Sequence, residues 1–260
     1  MFLVSLAGIV PNFLSKGLTP NTYKILKFIA VFILQACKDV RYNARLFIFT
    51  LVVMMAQFFE IHPENPQLRL IHRAVEIIRK GGVIAYPTDS SYALACHIGD
   101  KQALDKIRRI RQLDDKHNFT LVCKDLTQVS MFTKIGNDAY RLIKALTPGP
   151  FTFILDATRE VPRRLQHPKK KTIGIRIPDH PVAQLLLQEL GEALFSSTLV
   201  LPGESEAMTD PYEIRNKLEH ELDLVIDAGI IEHEETTMIE FSSNGAEIIR
   251  QGKGLAPMLD

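Results

Sequence analysis

The 260-residue chain is 46% hydrophobic and 23% charged, the composition of an ordinary globular protein with room for a sizeable core. Its net charge of +1 points neither to nucleic acid nor to an anionic membrane. Cys37, Cys96 and Cys123 are odd in number and share no C-x-x-C spacing, so a reducing cytoplasm is expected, without a disulfide framework or structural zinc.

Residues 1–56 differ from the rest. Lys16, Lys24, Lys27, Lys38, Arg41 and Arg45 stand against the single acid Asp39, among the apolar runs MFLVSLAGIV, ILKFIAVFIL and LFIFTLVVMM. A spanning helix needs about 20 consecutive apolar residues, and these runs are shorter and broken by charge. A signal peptide carries positive charge ahead of its apolar run, and MFLVSLAGIV has none. Residues 1–54 are read as an extension outside the fold, with the start at Met54 or Met55. The alternatives are a membrane or interfacial anchor or an added structured segment. One domain is expected over 55–260, with no membrane association.

From residue 64 the pattern is regular. ENPQLRLIHRAVEIIRKGG sets Leu70, Ile71, Ala74, Val75, Ile77 and Ile78 on one helical face and stops at Gly81-Gly82. VIAYP reads as a strand, PTDSS as a polar break, and YALACHI as a second strand. Asp100 opens the helix DKQALDKIRRIRQL. NFTLVC is a strand, NDAYRLIKALTPG a helix stopped by Pro148-Gly149, and FTFILD a strand. A polar loop then runs to Lys171. TIGIRIP, HPVAQLLLQELG and ALFSSTLVLP read strand, helix, strand. DPYEIRNKLEHE is a helix capped by Asp210 with Pro211 in its first turn. LDLVIDAG, TTMIEF and AEIIRQG end the chain as strands. This order predicts a single mixed α/β sheet with helices.

No P-loop, dinucleotide fingerprint, zinc-protease or nucleophile-elbow motif occurs. What stands out is polar chemistry at strand ends, where α/β sheets bind ligands. Thr88-Asp89-Ser90-Ser91 either holds a small polar molecule or is a turn bonded to its own backbone. Lys106, Arg108, Arg109 and Arg111 either complement a helix C-terminus or clamp phosphate. Arg163, Arg164, Lys169, Lys170 and Lys171 form a basic loop, either solvated or an RNA contact. Arg176 sits mid-strand among apolar residues and needs an anionic partner, either a core carboxylate or a bound anion. Ser196-Ser197-Thr198 and Thr236-Thr237, with Arg250, add hydroxyls and a third cation. No nucleophile lies beside a base, so the set predicts positioning of small anionic or zwitterionic reactants.

The ordered motifs YPTDSSYALAC, RIRQL, HNFTLVC, TPGPFTFIL, TIGIRIPDHPVA, TTMIE and IIRQG resemble the YrdC/YciO family of threonylcarbamoyl-AMP synthase-like proteins. HNFTL and VPRRL are similar to the YciO branch. The resemblance implies a YrdC-like twisted sheet with a concave basic face. It implies the joining of threonine, bicarbonate and ATP into threonylcarbamoyl-AMP and pyrophosphate, a step toward tRNA threonylcarbamoyladenosine. It also implies tRNA or double-stranded RNA as a partner. ATP, with Mg2+, enters as a substrate, and no tightly bound cofactor or resident metal is implied. Ser90, Cys123, Arg176, Ser197 and Thr236 fall on threonine-binding positions. Arg109, Arg111, Asn118, Thr172 and Arg250 fall on ATP-binding positions.

The chain departs from the synthase pattern. Ser-Ala-Asn reads Ser197-Thr198-Leu199, a strand-end His reads Cys123, Lys-x-Arg reads Arg109-Ile110-Arg111, and Tyr-Gly-Leu-Gly reads Tyr92-Ala93-Leu94-Ala95. An unmade hydrogen bond at a buried site costs about 1–3 kcal/mol, so two such losses predict activity lowered by a few orders of magnitude. Three readings follow: a weak or altered synthase, a non-catalytic RNA-binding protein with a retuned nucleotide or anion pocket, or an enzyme of a different carbamoylation or nucleotide hydrolysis.

Overall fold

Helical and strand periodicities alternate along the chain, and the element order follows them. The computed structural model describes residues 55–113, 119–242 and 245–259, all within the unit Met54–Asp260. The extension expected over 1–54 lies outside the described residues. The first elements are β1 (Gln57–Glu60), α1 (Leu68–Arg79), β2 (Ile84–Pro87), β3 (Tyr92–His97) and α2 (Lys101–Arg111). Then come β4 (Thr120–Val122), α3 (Leu126–Phe132), α4 (Asn137–Leu146), β5 (Phe151–Asp156) and β6 (Thr172–Arg176). The chain continues through α5 (Pro181–Leu190), β7 (Leu194–Thr198), α6 (Pro211–Leu218), β8 (Leu224–Asp227), β9 (Thr237–Ser242) and β10 (Gly245–Arg250).

Local signals place the helices. In α1 the buried set Ile71, Ala74, Val75 and Ile78 follows the helical repeat. Burying each of the larger side chains stabilises by about 1.5–3 kcal/mol. Gly82 lets the chain double back, since a Cβ there would lie 2.5 Å from Ile77 Cγ2 and 2.8 Å from the Ile77 carbonyl oxygen. The Ala103 N–H donates to Asp100 Oδ1 at 2.9 Å, capping α2 as expected. Asp210 caps α6 in the same way, accepting from the Tyr212 N–H. Sequence reading missed β1 and α3, which have four and seven residues and are too short to show a period.

The strands form one sheet in the order β1-β8-β2-β3-β7-β4-β6-β5-β9-β10. Pairings of both directions occur: β8 runs parallel to β1 and β2, while β3 is antiparallel to β2 and β7. Alternate residues along each strand face opposite sides. On one side Ala85, Leu94, Phe195, Leu121, Ile175 and Phe153 pack into a large core with α2. On the other, Ile84, Tyr86, Ala93, Ala95, Leu194 and Val122 pack under α1 and α5. That second cluster draws on β1, β8, β2, β3, β7 and β4, and takes nothing from β6, β5, β9 or β10. No helix among the described residues is long and apolar enough to cross a membrane.

Candidate functional site

The break after β2 is built from its own side chains. The Thr88 N–H and hydroxyl both donate to the Ser91 carbonyl, at 3.0 and 2.7 Å. Thr88 Oγ1 in turn accepts the N–H groups of Ser90 and Ser91 at 3.3 Å. The self-bonded turn therefore accounts for Thr88. It does not account for Asp89 and Ser90, which reach across to β6. Arg176 Nη2 donates to Ser90 Oγ at 2.9 Å and to Asp89 Oδ1. Of the two partners expected for a buried Arg176, the structure supplies the carboxylate, Asp89.

The register shows which groups share this side. Val122 pairs with Arg176, so Arg176 lies on the side of α1 and α5. Ser196 pairs with Ala95 on the same side, and its Oγ lies 2.9 Å from Tyr86 Oη. Burial raises the Tyr86 phenol to about 12, against the lowering effect of that hydrogen bond. Thr152 also lies here, with Oγ1 2.8 Å from Thr236 Oγ1. Arg250 donates from Nη1 to Glu235 Oε1 at 2.9 Å and from Nη2 to the Thr236 carbonyl at 3.0 Å. Thr172 is buried on the same strand face as Arg176. Ser90, Arg176, Thr172, Thr236 and Arg250 thus face one side of the sheet.

Two segments close on the 88–91 turn. The Glu234 N–H donates to the Ser90 carbonyl at 3.0 Å. Lys253 Nζ donates to the Asp89 carbonyl at 2.9 Å. Lys253 is held there because residues 251–254 lie directly on 235–237, and a Cβ on Gly252 would fall 2.2 Å from the Glu235 carbonyl oxygen. His180 caps α5 through Nδ1, and burial lowers its pKa against the opposing charges of Asp89 and Asp179. Sequence reading left Asp89, Lys253 and Glu235 out of the site. Asp89 stood inside a motif it had singled out, whereas Lys253 carried no signal.

Other expected residues are placed elsewhere. Ser197 pairs with Leu94 and so faces the α2 side. There Arg111 donates from Nη1 to Ser197 Oγ at 2.6 Å and from Nε to the Val200 carbonyl at 3.1 Å. Burial lowers the pKa of Arg111. Cys123 and Leu199, taken above as substitutions in the ligand site, are both 0% exposed and belong to the apolar core on the α2 side. Burial pushes the Cys123 thiol up, so it is a packed thiol on the sheet face away from Arg176. Arg109 is exposed and lines a shallow depression with Leu201, Pro202, Glu204 and Lys217. Asn118 lies outside the described residues.

The basic loop is divided. Arg164 donates to the carbonyls of Ile98 and Gly99, and Lys170 meets Glu240 at 2.6 Å. Arg163, Lys169 and Lys171 are exposed. The implied basic face is also charge-compensated, with Arg176 against Asp89, Arg250 against Glu235 and Lys170 against Glu240.

Topology and motif order together identify the family. Residues 76–252 match the Sua5/YciO/YrdC family, described as "Telomere recombination". The chain belongs to the Sua5/YciO/YrdC family. It is 54% identical over 200 residues to the uncharacterized protein YciO of Escherichia coli, covering 77% of this chain and 97% of that protein. The crystal structure of E. coli YciO superposes with a TM-score of 0.76 at 52% identity, over 79% of this chain and 100% of that one. A threonylcarbamoyl-AMP synthase of Nitrosococcus oceani is 31% identical over 157 residues, 60% of this chain and 84% of that protein. Sua5 of P. abyssi, in complex with L-threonine, shares the fold with a TM-score of 0.69 at 22% identity, over 75% of this chain and 57% of that one.

Proposed function

We propose that this protein is an altered threonylcarbamoyl-AMP synthase, joining threonine, bicarbonate and ATP with release of pyrophosphate. The observation that carries the reading is the buried Arg176–Asp89–Ser90 cluster on the polar half of the sheet. Guanidinium and hydroxyl donors side by side suit an amino-acid carboxylate. Arg250, beside Thr236 and Thr152, suits the charge that builds on pyrophosphate as the carbamate oxygen attacks the α-phosphorus. Mg2+ accompanies ATP as its counter-ion. The synthase relative and the threonine-bound Sua5 fold support the same assignment.

The alteration is assigned to the nucleotide side. Arg111, at a position expected to meet ATP, is already engaged by Ser197 Oγ and the Val200 carbonyl on the other face of the sheet. The test is pyrophosphate release with ATP, bicarbonate and threonine, omitting each in turn. Release that requires threonine supports the reading. Release indifferent to threonine, or none at any enzyme concentration, overturns it.

A further inference from the structure

Two buried atoms beside the 88–91 turn have no hydrogen-bond partner: Asp89 Oδ2, an acceptor, and Arg176 Nε, a donor. The two side chains are 9% and 8% exposed. A guanidinium and a carboxylate often meet through two parallel bonds. Here Nη2 alone reaches the carboxylate, at Oδ1, and shares itself with Ser90 Oγ at 2.9 Å. An unpaired buried polar atom is costly, and such atoms call for a bound partner or a catalytic role. Because one orphan is an anionic acceptor and the other a cationic donor, their complement carries a donor cation and an acceptor anion close together. An α-amino acid zwitterion is such a molecule.

We propose that Asp89 Oδ2 receives the α-ammonium of the amino-acid substrate and takes a proton from it, making Asp89 the catalytic base. The inference rests on the synthase reading above. The ammonium nitrogen gives one proton to Oδ2 and is left as a neutral amine with a free electron pair. That pair forms the N–C bond to bicarbonate. The bicarbonate hydroxyl then leaves with a second nitrogen-bound proton as water, and the product is the carbamate. No further reactant is consumed.

The groups facing Asp89 leave this role to it. Tyr86 on β2 keeps its phenol protonated, with burial raising it to about 12. His180, ahead of α5, spends Nδ1 on the Val182 N–H. Lys253 and Arg176 are cations, the first on the Asp89 carbonyl and the second on Oδ1. Asp179 is exposed, and His233, beside the Glu234 N–H that reaches Ser90, also has a buried unpartnered nitrogen, Nδ1; of the carboxylates here, Asp89 is the one with a buried oxygen, Oδ2, that lacks a partner.

Asp89→Asn is tested by kcat/KM for threonine-dependent pyrophosphate release across neutral to alkaline pH. The expected result is a loss of about 100-fold at neutral pH, the range of a general base. The loss should shrink to within about tenfold as the medium itself deprotonates the ammonium. A loss equal at every pH, or none, overturns the assignment. Asparagine also removes the counter-ion of Arg176, so a second measurement uses the unaltered protein. Calorimetric affinity for threonine is compared with that for the acid in which a hydroxyl replaces the ammonium. The hydroxy acid is expected to bind at least about tenfold more weakly, the effect of losing a hydrogen bond to a charged group. Equal affinities overturn the ammonium site. Ammonium-dependent binding without pyrophosphate release overturns the synthase reading and the proton transfer together. Normal release by Asp89→Asn at every pH overturns the base alone.

Discussion

From β8 to β4, the sheet face that carries Arg176 lies under α1 and α5 and is lined with Ile84, Ala93, Ala95, Leu194 and Val122. From β6 to β10 the same face presents Thr172, Gly174 and Arg176, then Thr152 and Ile154, then Met238, Glu240 and Arg250, none of which enters that apolar cluster. The two halves belong to one hydrogen-bonded sheet, so backbone pairing does not distinguish them. The distinction is whether a helix brings an apolar stripe to meet the strands. Where it does, the inward positions are largely committed to packing, and the Ser196 hydroxyl among them is paired with Tyr86 Oη. Where it does not, hydroxyls and charges stand beside Ile154 and Met238, and the large constraint on the buried polar groups is that they find partners. The site occupies the half that stability did not claim.

The comparison breaks most visibly at Arg176. Arg176→Ala is expected to lower threonine-dependent pyrophosphate release by at least about 100-fold, the scale seen when a preorganised donor is removed. It also leaves the Asp89 carboxylate buried without its cation, a loss of about 3–5 kcal/mol read as a fall in Tm. On the covered half, Leu187→Ala is expected to cost about 2–5 kcal/mol through the cavity it leaves in α5. Its release activity, measured well below its Tm, should stay within about twofold of the parent, since distant effects are largely independent. Comparable activity losses in both variants would erase the division between the two halves.

His180 sharpens the comparison through pH. Burial lowers its pKa from 6.5, so the folded state favours the neutral ring. The unfolded chain then binds more protons in the acidic range, and this residue's contribution is fully present above 6.5 and lost as pH falls through and below it. His180→Asn retains a capping side chain and is expected to flatten that acid limb, as read from Tm against pH. An unchanged limb would place the acid sensitivity elsewhere. The smallest effect is expected at Lys170. Its pair with Glu240 is largely open to water, and Lys170→Ala should cost about 0–1 kcal/mol in denaturant titrations, less at high salt.

Strand and helix identities were legible because burial imposes a period on residue type. Ile71, Ala74, Val75 and Ile78 announce α1, and Ile173, Ile175 and Ile177 alternate around Arg176 so clearly that its need for an anion could be read directly. Other parts of the site were not legible. Ser196 and Ser197 are consecutive hydroxyls, and only the pairing of β7 with β3 sends one to Tyr86 and the other to Arg111. Arg109 and Arg111 lie two apart on one helix, and the structure gives them different surroundings. Cys123 and Leu199 look like altered ligand contacts until the register turns them into the core.

The sequence by itself determined the longer elements, the Asp100 and Asp210 caps and the mixed α/β class, because each follows from side chains a few residues apart. It also determined that Arg176 must meet a negative charge, because desolvating a guanidinium is costly in any fold. The tertiary structure alone decided that the charge is Asp89, 87 residues away, and that Lys253 closes on the same turn from 164 residues away. It alone decided which strands escape helical cover. Those outcomes depend on strand order and register, which arise from packing between distant segments and leave no local period to read.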